Sequence, residues 1–557
     1  MMSATSVTST MAALLTRAIA PFRSIDPVLI ALMALGLALR LLFLSHDSLW
    51  LDEINSLIVA AARGYPSHPP EGAQTAQWFF ERHLAWRPLD LAALTAMLKQ
   101  NVHAPLYYLL LNPWLGAWGL SEASLRGFSV LFSVLMIVPV YGLAFAVAPP
   151  GAARRTARWA ALLAAVSPFQ LAFAQEGRMY ALALFESALA ALALWQTLYG
   201  ARFQRWAVVL ALSAIAGCFT HYSFWFQTPF YALFAFSALA ASGDDPLRAA
   251  RRRALMGAGL ALTLAMAAWS PILLAQRTGV SSGGDHFSLG LLPPLRMLGM
   301  LGWEPLTTLG GETIGGRIFY GVLLLAALAV IALTMRRRKP ALAREGFLFM
   351  GILLPLAAQG VVDWFGDTHT LTIVRYAMLI APLTIVLAAF GLGALPLRRA
   401  VSRSAATVLT LALLATGVLA VWPGAPLRYK AKFPARAMMA QLAGKAAPSD
   451  LLAINGPLAT PCEAAYYLMR YRPQTPILYW ARGGLFPAGT AAPSTPQLAS
   501  WSRVWLFFYR SRQAHGSHAL RQALRDAFLI EEPRLGYGGK LMRYRSPRLA
   551  SSSYKSQ

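Results

Sequence analysis

Two adjacent carboxylates, Asp52 and Glu53, are the first residues of this sequence whose types and spacing could do chemistry. They follow a strongly apolar run at 27–44, and apolar residues recur on one helical face of the segment after them. One of the pair could be a general base that accepts a proton from an acceptor hydroxyl. Alternatively, Asp52 could be a helix N-cap with Glu53 in the first turn. The residues alone favour neither interpretation.

Two short segments further along combine ionisable and aromatic residues. His103 precedes Pro105 where a helix could begin, and a histidine there can donate to a phosphate or bind a metal. A proline in the first turn is, however, also an ordinary helix start. Glu176 and Arg178 occupy a very short connection between two apolar runs. Ionisable residues in such places suggest function, although these two could simply pair with each other.

Three more polar positions have two interpretations each. His221 closes a hairpin, where a histidine is more often a structural hydrogen-bonding residue than a ligand. Arg375 precedes Tyr376 at the start of an apolar run and could hold a phosphate by charge-assisted hydrogen bonds. Its guanidinium could instead extend to the lipid headgroups, and Arg40 near the outer end of the first apolar run is open to the same alternatives.

The composition identifies the kind of protein that must position these residues. The chain has 557 residues, of which 57% are hydrophobic and 13% charged, and its mean hydropathy is +0.50. The apolar residues come in blocks long enough to span a bilayer, which takes about 20 helical residues. We therefore predict a polytopic membrane protein with about eleven spans. They are placed at 27–45, 125–148, 159–175, 180–199, 206–222, 223–241, 254–276, 317–335, 347–364, 377–397 and 404–422.

Basic residues predict the orientation of these spans. The formal net charge of +26 could suggest a nucleic-acid partner, but the basic clusters alternate with apolar runs and fall on every other connection. Lysine and arginine collect on cytoplasmic loops, so we predict a cytoplasmic N-terminus and no nucleic-acid partner. Asp52, Glu53 and the C-terminal segment are then external. Cys218 and Cys462 lie in different regions, which predicts neither a disulfide nor redox chemistry.

The predicted fold is an all-α polytopic membrane bundle with a small C-terminal α/β external domain. Residues 1–26 form a cytoplasmic segment, 27–422 the transmembrane domain and 423–557 the external domain. The transmembrane domain includes two long external loops, at 46–124 and 277–316. Interfacial helices are predicted in the first loop at 53–62, 89–100 and 105–120. In the external domain, helices are predicted at 431–443, 462–470 and 517–528, and strands at 451–456, 476–480 and 504–509.

The acids, histidines and arginines singled out above all fall on the predicted external face. This arrangement suits attack by a deprotonated hydroxyl on a carbon that bears a phosphate leaving group. Such a reaction needs a base on one side of the reacting carbon and cations on the other.

On these motifs the sequence resembles the GT-C superfamily of membrane glycosyltransferases, especially the bacterial protein O-mannosyltransferases and the aminoarabinose transferase of lipid A. Asp52-Glu53 is similar to the external acidic motif of that family. His103-Ala-Pro-Leu-Tyr-Tyr108 resembles its His-Pro-Pro-Leu-Tyr-Tyr box, with Ala104 departing from the usual proline. Arg178-Met-Tyr180 and Arg375-Tyr376 resemble two further motifs. The resemblance covers roughly residues 27–400.

The resemblance implies a sugar donor on a polyprenyl phosphate and inversion at the sugar carbon. Asp52 would be the catalytic base, and the leaving phosphate would be neutralised by arginines. The substrate-binding residues are predicted to be Glu53, His103, Tyr107, Arg178, Tyr180, His221, Arg375 and Tyr376. No cofactor and no metal ligand are predicted. In some relatives the position of His103 is acidic, is followed by lysine and carries a metal, so a divalent metal near His103 stays open.

The acceptor implied by the resemblance is a cell-envelope glycolipid, polysaccharide or protein, reached at the periplasmic face of the inner membrane. The alternative functions are a lipid-linked sugar flippase or transporter and a polymer ligase. Transporters tend to carry charges near the bilayer midplane and to contain internal repeats. Here the ionisable residues cluster at one face and no repeat is visible, which favours the enzyme.

Overall fold

The computed structural model describes residues 26–64, 70–242, 246–279, 342–366, 374–394, 400–425, 434–456, 458–481, 501, 503–509, 529–532 and 539–545. Apolar helices make up most of this part of the chain, and one sheet lies near its C-terminal end. The predicted span at 317–335, the predicted helix at 517–528 and most of the predicted loop at 277–316 lie outside the described residues.

The helices of the described residues are numbered in chain order. They are α1 Pro27–Leu41, α2 Leu51–Ala61, α3 Ala76–His83, α4 Leu91–Lys99, α5 Leu106–Trp118, α6 Glu122–Leu135, α7 Ile137–Val147, α8 Ala153–Val166, α9 Pro168–Ala174, α10 Tyr180–Tyr199, α11 Phe203–Thr220, α12 Thr228–Ala240, α13 Arg248–Gly279, α14 Leu342–Gly366, α15 Val374–Ala377, α16 Ala381–Gly393, α17 Ala400–Val421, α18 Ala435–Lys445 and α19 Ala459–Leu468.

Seven helical segments of the described residues are long and apolar enough to cross a bilayer. They are Glu122–Val147, Tyr180–Tyr199, Phe203–Thr220, Arg248–Gln276, Arg344–Val362, Arg375–Gly393 and Ser404–Val421. The pair α8 and α9, bent by 51°, makes an eighth if it is one span. These segments indicate a multi-pass membrane protein, while the count of about eleven stays a prediction.

Two predicted spans are shorter in the structure. Helix α1 has 15 residues and ends at Leu41, because Leu42 leaves the helical conformation and Phe43 has a φ of 56°. The predicted span at 223–241 divides into a 3-10 helix at Tyr222–Gln227 and the 13-residue α12. A proline in the first turn of α12 lacks the N–H that would continue an earlier helix, so a regular helix begins only there.

Arg40 is a structural residue of the bundle. Its side chain is fully buried and donates to the carbonyls of Ala164, at 3.0 Å, and Ala165, at 2.9 Å. These carbonyls lose their helical partners where α8 ends before Pro168. Ser133 Oγ accepts a further bond from Arg40 at 2.8 Å. Neither a headgroup position nor a phosphate contact fits this buried guanidinium.

The segment at 46–124, which was predicted to be the first external loop, contains helices in agreement with its sequence pattern. Helices α2, α4 and α5 lie where 53–62, 89–100 and 105–120 were predicted. The side chain of Asp90 caps α4 by accepting from the backbone of Ala93 at 3.0 Å. Leu91 and Trp118 are strongly exposed apolar residues on these helices, as expected for helices at a membrane interface.

The sheet joins this loop to the C-terminal segment. Its strands are β1 Gln74–Thr75, β2 Asp450–Gly456, β3 Pro476–Ala481, β4 Arg503–Tyr509, β5 Leu529–Glu532 and β6 Gly539–Arg545, in the order β1-β3-β2-β4-β6-β5. Strand β2 runs parallel to β3 and β4, and the other pairings are antiparallel.

Strand β1 comes from the first external loop, with Gln74 opposite Ile477 of β3. The backbone N–H of Ala76 extends this pairing to the carbonyl of Thr475 at 2.9 Å. Helix α19 packs against both α2 and α3. The C-terminal segment therefore lies directly over the helix that carries Asp52.

Candidate active site

The two adjacent carboxylates have different roles in the first turn of α2. Trp50 is the N-cap residue, and its backbone N–H donates to Glu53 Oε2 at 3.2 Å. Glu53 is therefore the carboxylate that caps the helix, in the manner of a capping box. Asp52 lies one position earlier, and its side chain does not cap the helix.

Glu53 is completely engaged by the protein. Arg126 on α6 donates to Oε1 at 2.8 Å and to Oε2 at 2.9 Å, and the backbone N–H of Gly177 donates to Oε1 at 2.8 Å. The side chains of Glu53 and Arg126 are 0% and 1% exposed. This geometry argues against the predicted substrate contact of Glu53, because its lone pairs already face buried donors. Its role in the structure is to anchor α2.

Asp52, by contrast, faces an opening. Its Oδ2 lies 3.2 Å from Nη1 of Arg375, and the two side chains are 33% and 35% exposed. Within the described residues, no hydrogen bond occupies Oδ1. A solvent-accessible carboxylate with one oxygen that accepts no hydrogen bond is suited to accept a proton.

Arg178 lies beside Asp52, just before α10, and is buried. Its Nη1 donates to the backbone carbonyl of Asp52 at 3.0 Å and to Ser56 Oγ at 3.1 Å. Its guanidinium lies 5.8 Å from the ring centre of Tyr180. Among the described residues, no carboxylate lies within ion-pair distance of Arg178. Its partners are neutral, so the positive charge is available to an anion.

His103 holds Arg178 from the other side. Its Nε2 is 2.7 Å from Nη2 of Arg178, and its Nδ1 is 2.5 Å from Oδ1 of Asn101. A guanidinium only donates, so Nε2 accepts and Nδ1 carries the proton donated to Asn101. Burial, followed by the charge of Arg178, holds the pKa of His103 well below its usual value.

Both ring nitrogens of His103 thus have protein partners. This arrangement does not fit the predicted phosphate contact of His103, because its free lone pair is used to orient Arg178. A metal at Nε2 would have to displace the guanidinium. Among the described residues, no group of three or more histidine, cysteine or acidic side chains could hold a metal ion.

Aromatic rings pack next to the two arginines, with Tyr180 and His221 buried and Tyr376 partly exposed. His221 lies between Tyr180 and Tyr376, with ring-centre distances of 5.9 and 5.8 Å. Burial, followed by the charges of Arg178 and Arg375, lowers the pKa of His221 to about 3. The ring of His221 is therefore neutral and forms part of a wall that an uncharged substrate group could contact.

Tyr107 does not reach this wall. Its side chain is fully buried on α5, with its ring 5.3 Å from that of Tyr108 and 5.6 Å from that of Phe128. The structure therefore opposes its predicted substrate contact, because packing positions the ring in the core.

The structure adds residues that the sequence motifs did not include. Arg126 has a recognisable signal, since it is a charged residue at the start of an otherwise apolar run. Asn101 and Ser56, which hold His103 and Arg178, have no such signal. Gln276 also stands out only in the fold, where its amide donates to the carbonyl of His103 at 3.0 Å.

An apolar cavity of about 770 Å³ lies between α10, α11, α12 and α13. Leu194, Leu210, Leu262 and Met266 are among its lining residues. Cys218, in the last turn of α11 before His221, also lines it. The cavity thus approaches the aromatic wall from the side of the apolar helices.

Comparison with known proteins shows the fold. No protein-family model matches this sequence, and no curated protein matches it. The solved structure of ArnT from Cupriavidus metallidurans in the apo state superposes with a TM-score of 0.54 at 12% identity, over 92% of this chain and 97% of that one. The structure of the same protein bound to undecaprenyl phosphate gives 0.51 at 10% identity, with the same coverage.

Proposed function

We propose that this chain, which has the GT-C fold of ArnT, is a membrane glycosyltransferase. It transfers a sugar from a polyprenyl phosphate to a hydroxyl group of a cell-envelope acceptor. The observation that carries the proposal is the contact of Asp52, which is about one-third exposed, with Arg375, beside the buried cation of Arg178. A base and two cations meet there at one opening.

In the proposed reaction the acceptor hydroxyl gives its proton to Asp52. The oxygen of the acceptor then forms a bond to the anomeric carbon of the sugar, from the side opposite the phosphate. The bond from this carbon to the phosphate oxygen breaks, and the phosphate keeps the electron pair. Arg178 and Arg375 stabilise the charge that develops on this leaving group, and the configuration at the carbon is inverted.

Two observations support a lipid donor. The solved structure of ArnT bound to undecaprenyl phosphate has the same fold as this chain. The apolar cavity between α10 and α13 approaches the site and offers space for a hydrocarbon chain. The rings of Tyr180, His221 and Tyr376 would contact the sugar.

The proposed location is the inner membrane, with the site at the periplasmic face and the N-terminus in the cytoplasm. The alternating basic connections support this orientation. The proposed acceptor is a cell-envelope glycolipid, polysaccharide or protein.

The deciding experiment measures sugar transfer from defined polyprenyl-phosphate sugars in reconstituted membranes. We expect Asp52→Asn to lower the rate by about 10² to 10⁴-fold, the usual contribution of a general base. Asp90→Asn is the matched control, because an asparagine side chain at this N-cap position would still cap α4. Unchanged transfer by the Asp52 variant would overturn the base assignment. Absence of transfer from every donor by the wild type would overturn the proposed function.

The orientation is tested separately by labelling introduced cysteines from outside intact cells. Gly444→Cys on α18 should react, whereas Arg252→Cys on α13 should react only after the membrane is opened; both positions are exposed. The reverse pattern would place the site in the cytoplasm.

A further inference from the structure

Residues 44–50 connect α1 to the helix that carries Asp52, and they form no helix or strand. Several of their backbone groups are buried and need partners from elsewhere. On the bundle side, Arg126 donates to the carbonyls of Leu44 at 2.8 Å, Asp47 at 3.0 Å and Ser48 at 2.9 Å. Arg126 therefore holds both this segment and the capping carboxylate of α2.

The opposite side of the same segment is held by the C-terminal segment. The backbone N–H of Arg436 donates to Ser48 Oγ at 3.0 Å, and its Nη2 donates to the carbonyl of Ser45 at 3.0 Å. The hydroxyl of Tyr467 accepts from the backbone N–H of Leu49 at 2.6 Å. Residues 44–50 thus lie between an arginine of the bundle and residues of α18 and α19.

Arg436 is itself fixed in place. Its Nη2 is 2.8 Å from Glu122 Oε1, and its guanidinium lies 5.8 Å from the ring centre of Tyr467. Glu122 is buried and also receives Arg470 at 3.2 Å and the hydroxyl of Tyr466 at 3.2 Å. The contacts of Arg436 with residues 44–50 are therefore supported by its ion pair with the buried Glu122.

We propose that Arg436 and Tyr467 are positioning residues of the active site, which hold residues 44–50 and through them set the place of Asp52 against Arg178 and Arg375. This inference rests on the proposed function. Neither residue touches the reacting groups. The N-cap of α2 is Trp50, which directly follows Leu49, whose backbone N–H donates to Tyr467. A shift of the segment therefore moves the first turn of α2, and a misplacement of about 1 Å can cost about 10²-fold in rate.

The clamp is the set of hydrogen bonds from Arg436 and Tyr467 to residues 44–50. Its loss should lower kcat with little change in the KM for the sugar donor, because the groups that contact this substrate stay in place. Tyr467→Phe removes only the acceptor of the Leu49 N–H and should lower kcat about ten-fold. Tyr471→Phe is the matched control, since Tyr471 follows α19 and its side chain is 44% exposed, away from the Glu122 network. We expect this control to keep the wild-type kcat.

Substitutions of Arg436 distinguish an effect of side-chain geometry from an effect of charge. Arg436→Lys keeps the positive charge but loses the planar guanidinium, whose Nη2 donates to Ser45 and Glu122 and whose Nη1 donates to the carbonyl of His46. We expect it to lose kcat nearly as strongly as Arg436→Met, by about 10²-fold. Recovery of the wild-type kcat by the lysine variant would overturn positioning in favour of a simple charge effect.

Hydrogen exchange measures the clamp without any assay of transfer. Tyr467→Phe should speed exchange of the Leu49 amide and of the first turn of α2, and Tyr471→Phe should not. Unchanged exchange in Tyr467→Phe overturns the clamp whatever the activity. Faster exchange with an unchanged kcat overturns its link to catalysis. If the wild type transfers no sugar, the proposed function fails, while exchange still decides whether the C-terminal segment holds this segment.

Discussion

The first turn of α2 has a buried, closed side at Glu53 and a partly exposed, open side at Asp52. The two carboxylates carry the same charge but differ in solvent access and in partners. On the closed side, Glu53 is buried against Arg126 and Gly177. On the open side, Asp52 meets Arg375 with about a third of each side chain exposed. The surroundings of these two adjacent carboxylates therefore give them different roles. One carboxylate holds the helix, and the other is left free for a proton.

The energies of the two pairs differ for the same reason. A buried ion pair gains much from its partner because no water can replace it, so the loss of one member leaves an uncompensated charge. An exposed pair gains little, since water and salt screen it. The closed side should therefore dominate stability and the open side activity.

The largest expected effect is on the closed side. Glu53→Gln leaves the buried Arg126 without its counter-charge and should lower the free energy of unfolding by about 3–5 kcal/mol. Asp52→Asn should lower it by less than about 1 kcal/mol. Chemical unfolding in detergent compares the two. Equal losses would contradict the distinction between a closed and an open side.

The next effect is on the open side and concerns His103. His103→Ala removes the acceptor that orients Arg178 and should lower transfer by about 10²-fold. Because burial keeps the pKa of His103 well below 6.5, its ring stays neutral above that pH. The ratio of wild-type rate to that of His103→Gln should therefore be constant from about pH 6 to 8. A ratio that changes near pH 6.5 would show that the ring titrates during turnover.

A packing change sharpens the comparison from the closed side. An added Cβ at Gly177, whose N–H donates to Glu53, would overlap the side chain of Leu125. Gly177→Ala should therefore lower the free energy of unfolding by about 1–3 kcal/mol. Gly257→Ala on α13 is the control, because nothing lies within 4 Å of its added Cβ. Thermal melting that places both variants together would refute this packing argument.

The last expected effect depends on pH and concerns Glu463 on α19, which packs against α2. Its carboxyl is fully buried, and neither oxygen has a hydrogen-bond partner among the described residues. Burial, followed by the charge of Glu53, raises the pKa of Glu463 well above 4.5.

The unfolded chain releases this proton near pH 4.5 and the folded chain does not, so stability falls as the pH rises above that value. Glu463→Gln does not titrate, so its advantage over the wild type should grow with pH, by up to about 1.4 kcal/mol per pH unit between pH 4.5 and the folded-state pKa. Melting curves across the pH range check this trend. A parallel pH dependence of the two proteins would mean that Glu463 ionises in the folded state.

Much of the fold could be predicted because apolar periodicity is local. Runs of side chains close in sequence are enough to predict the helices of the predicted first external loop and the strands at 450–456 and 503–509. The same holds for most spans in the described residues. The boundaries at Phe43 and before α12 could not, because backbone conformation at these points depends on single residues and their neighbours. The pairing of β1 with β3 joins segments hundreds of residues apart, which no local pattern encodes.

For the site, the sequence by itself determined which residue types were available at one end of the predicted spans. Asp52, His103, Arg178, His221 and Arg375 were chosen by type and motif, and the structure brings them together at one opening. Which of two adjacent carboxylates is free was decided only by the tertiary structure. Arg126 comes from a different helix and removes Glu53 from solvent, and this burial is a property of the packed chain. Solvent access and hydrogen-bond partners, not residue type, separate the helix anchor from the candidate base.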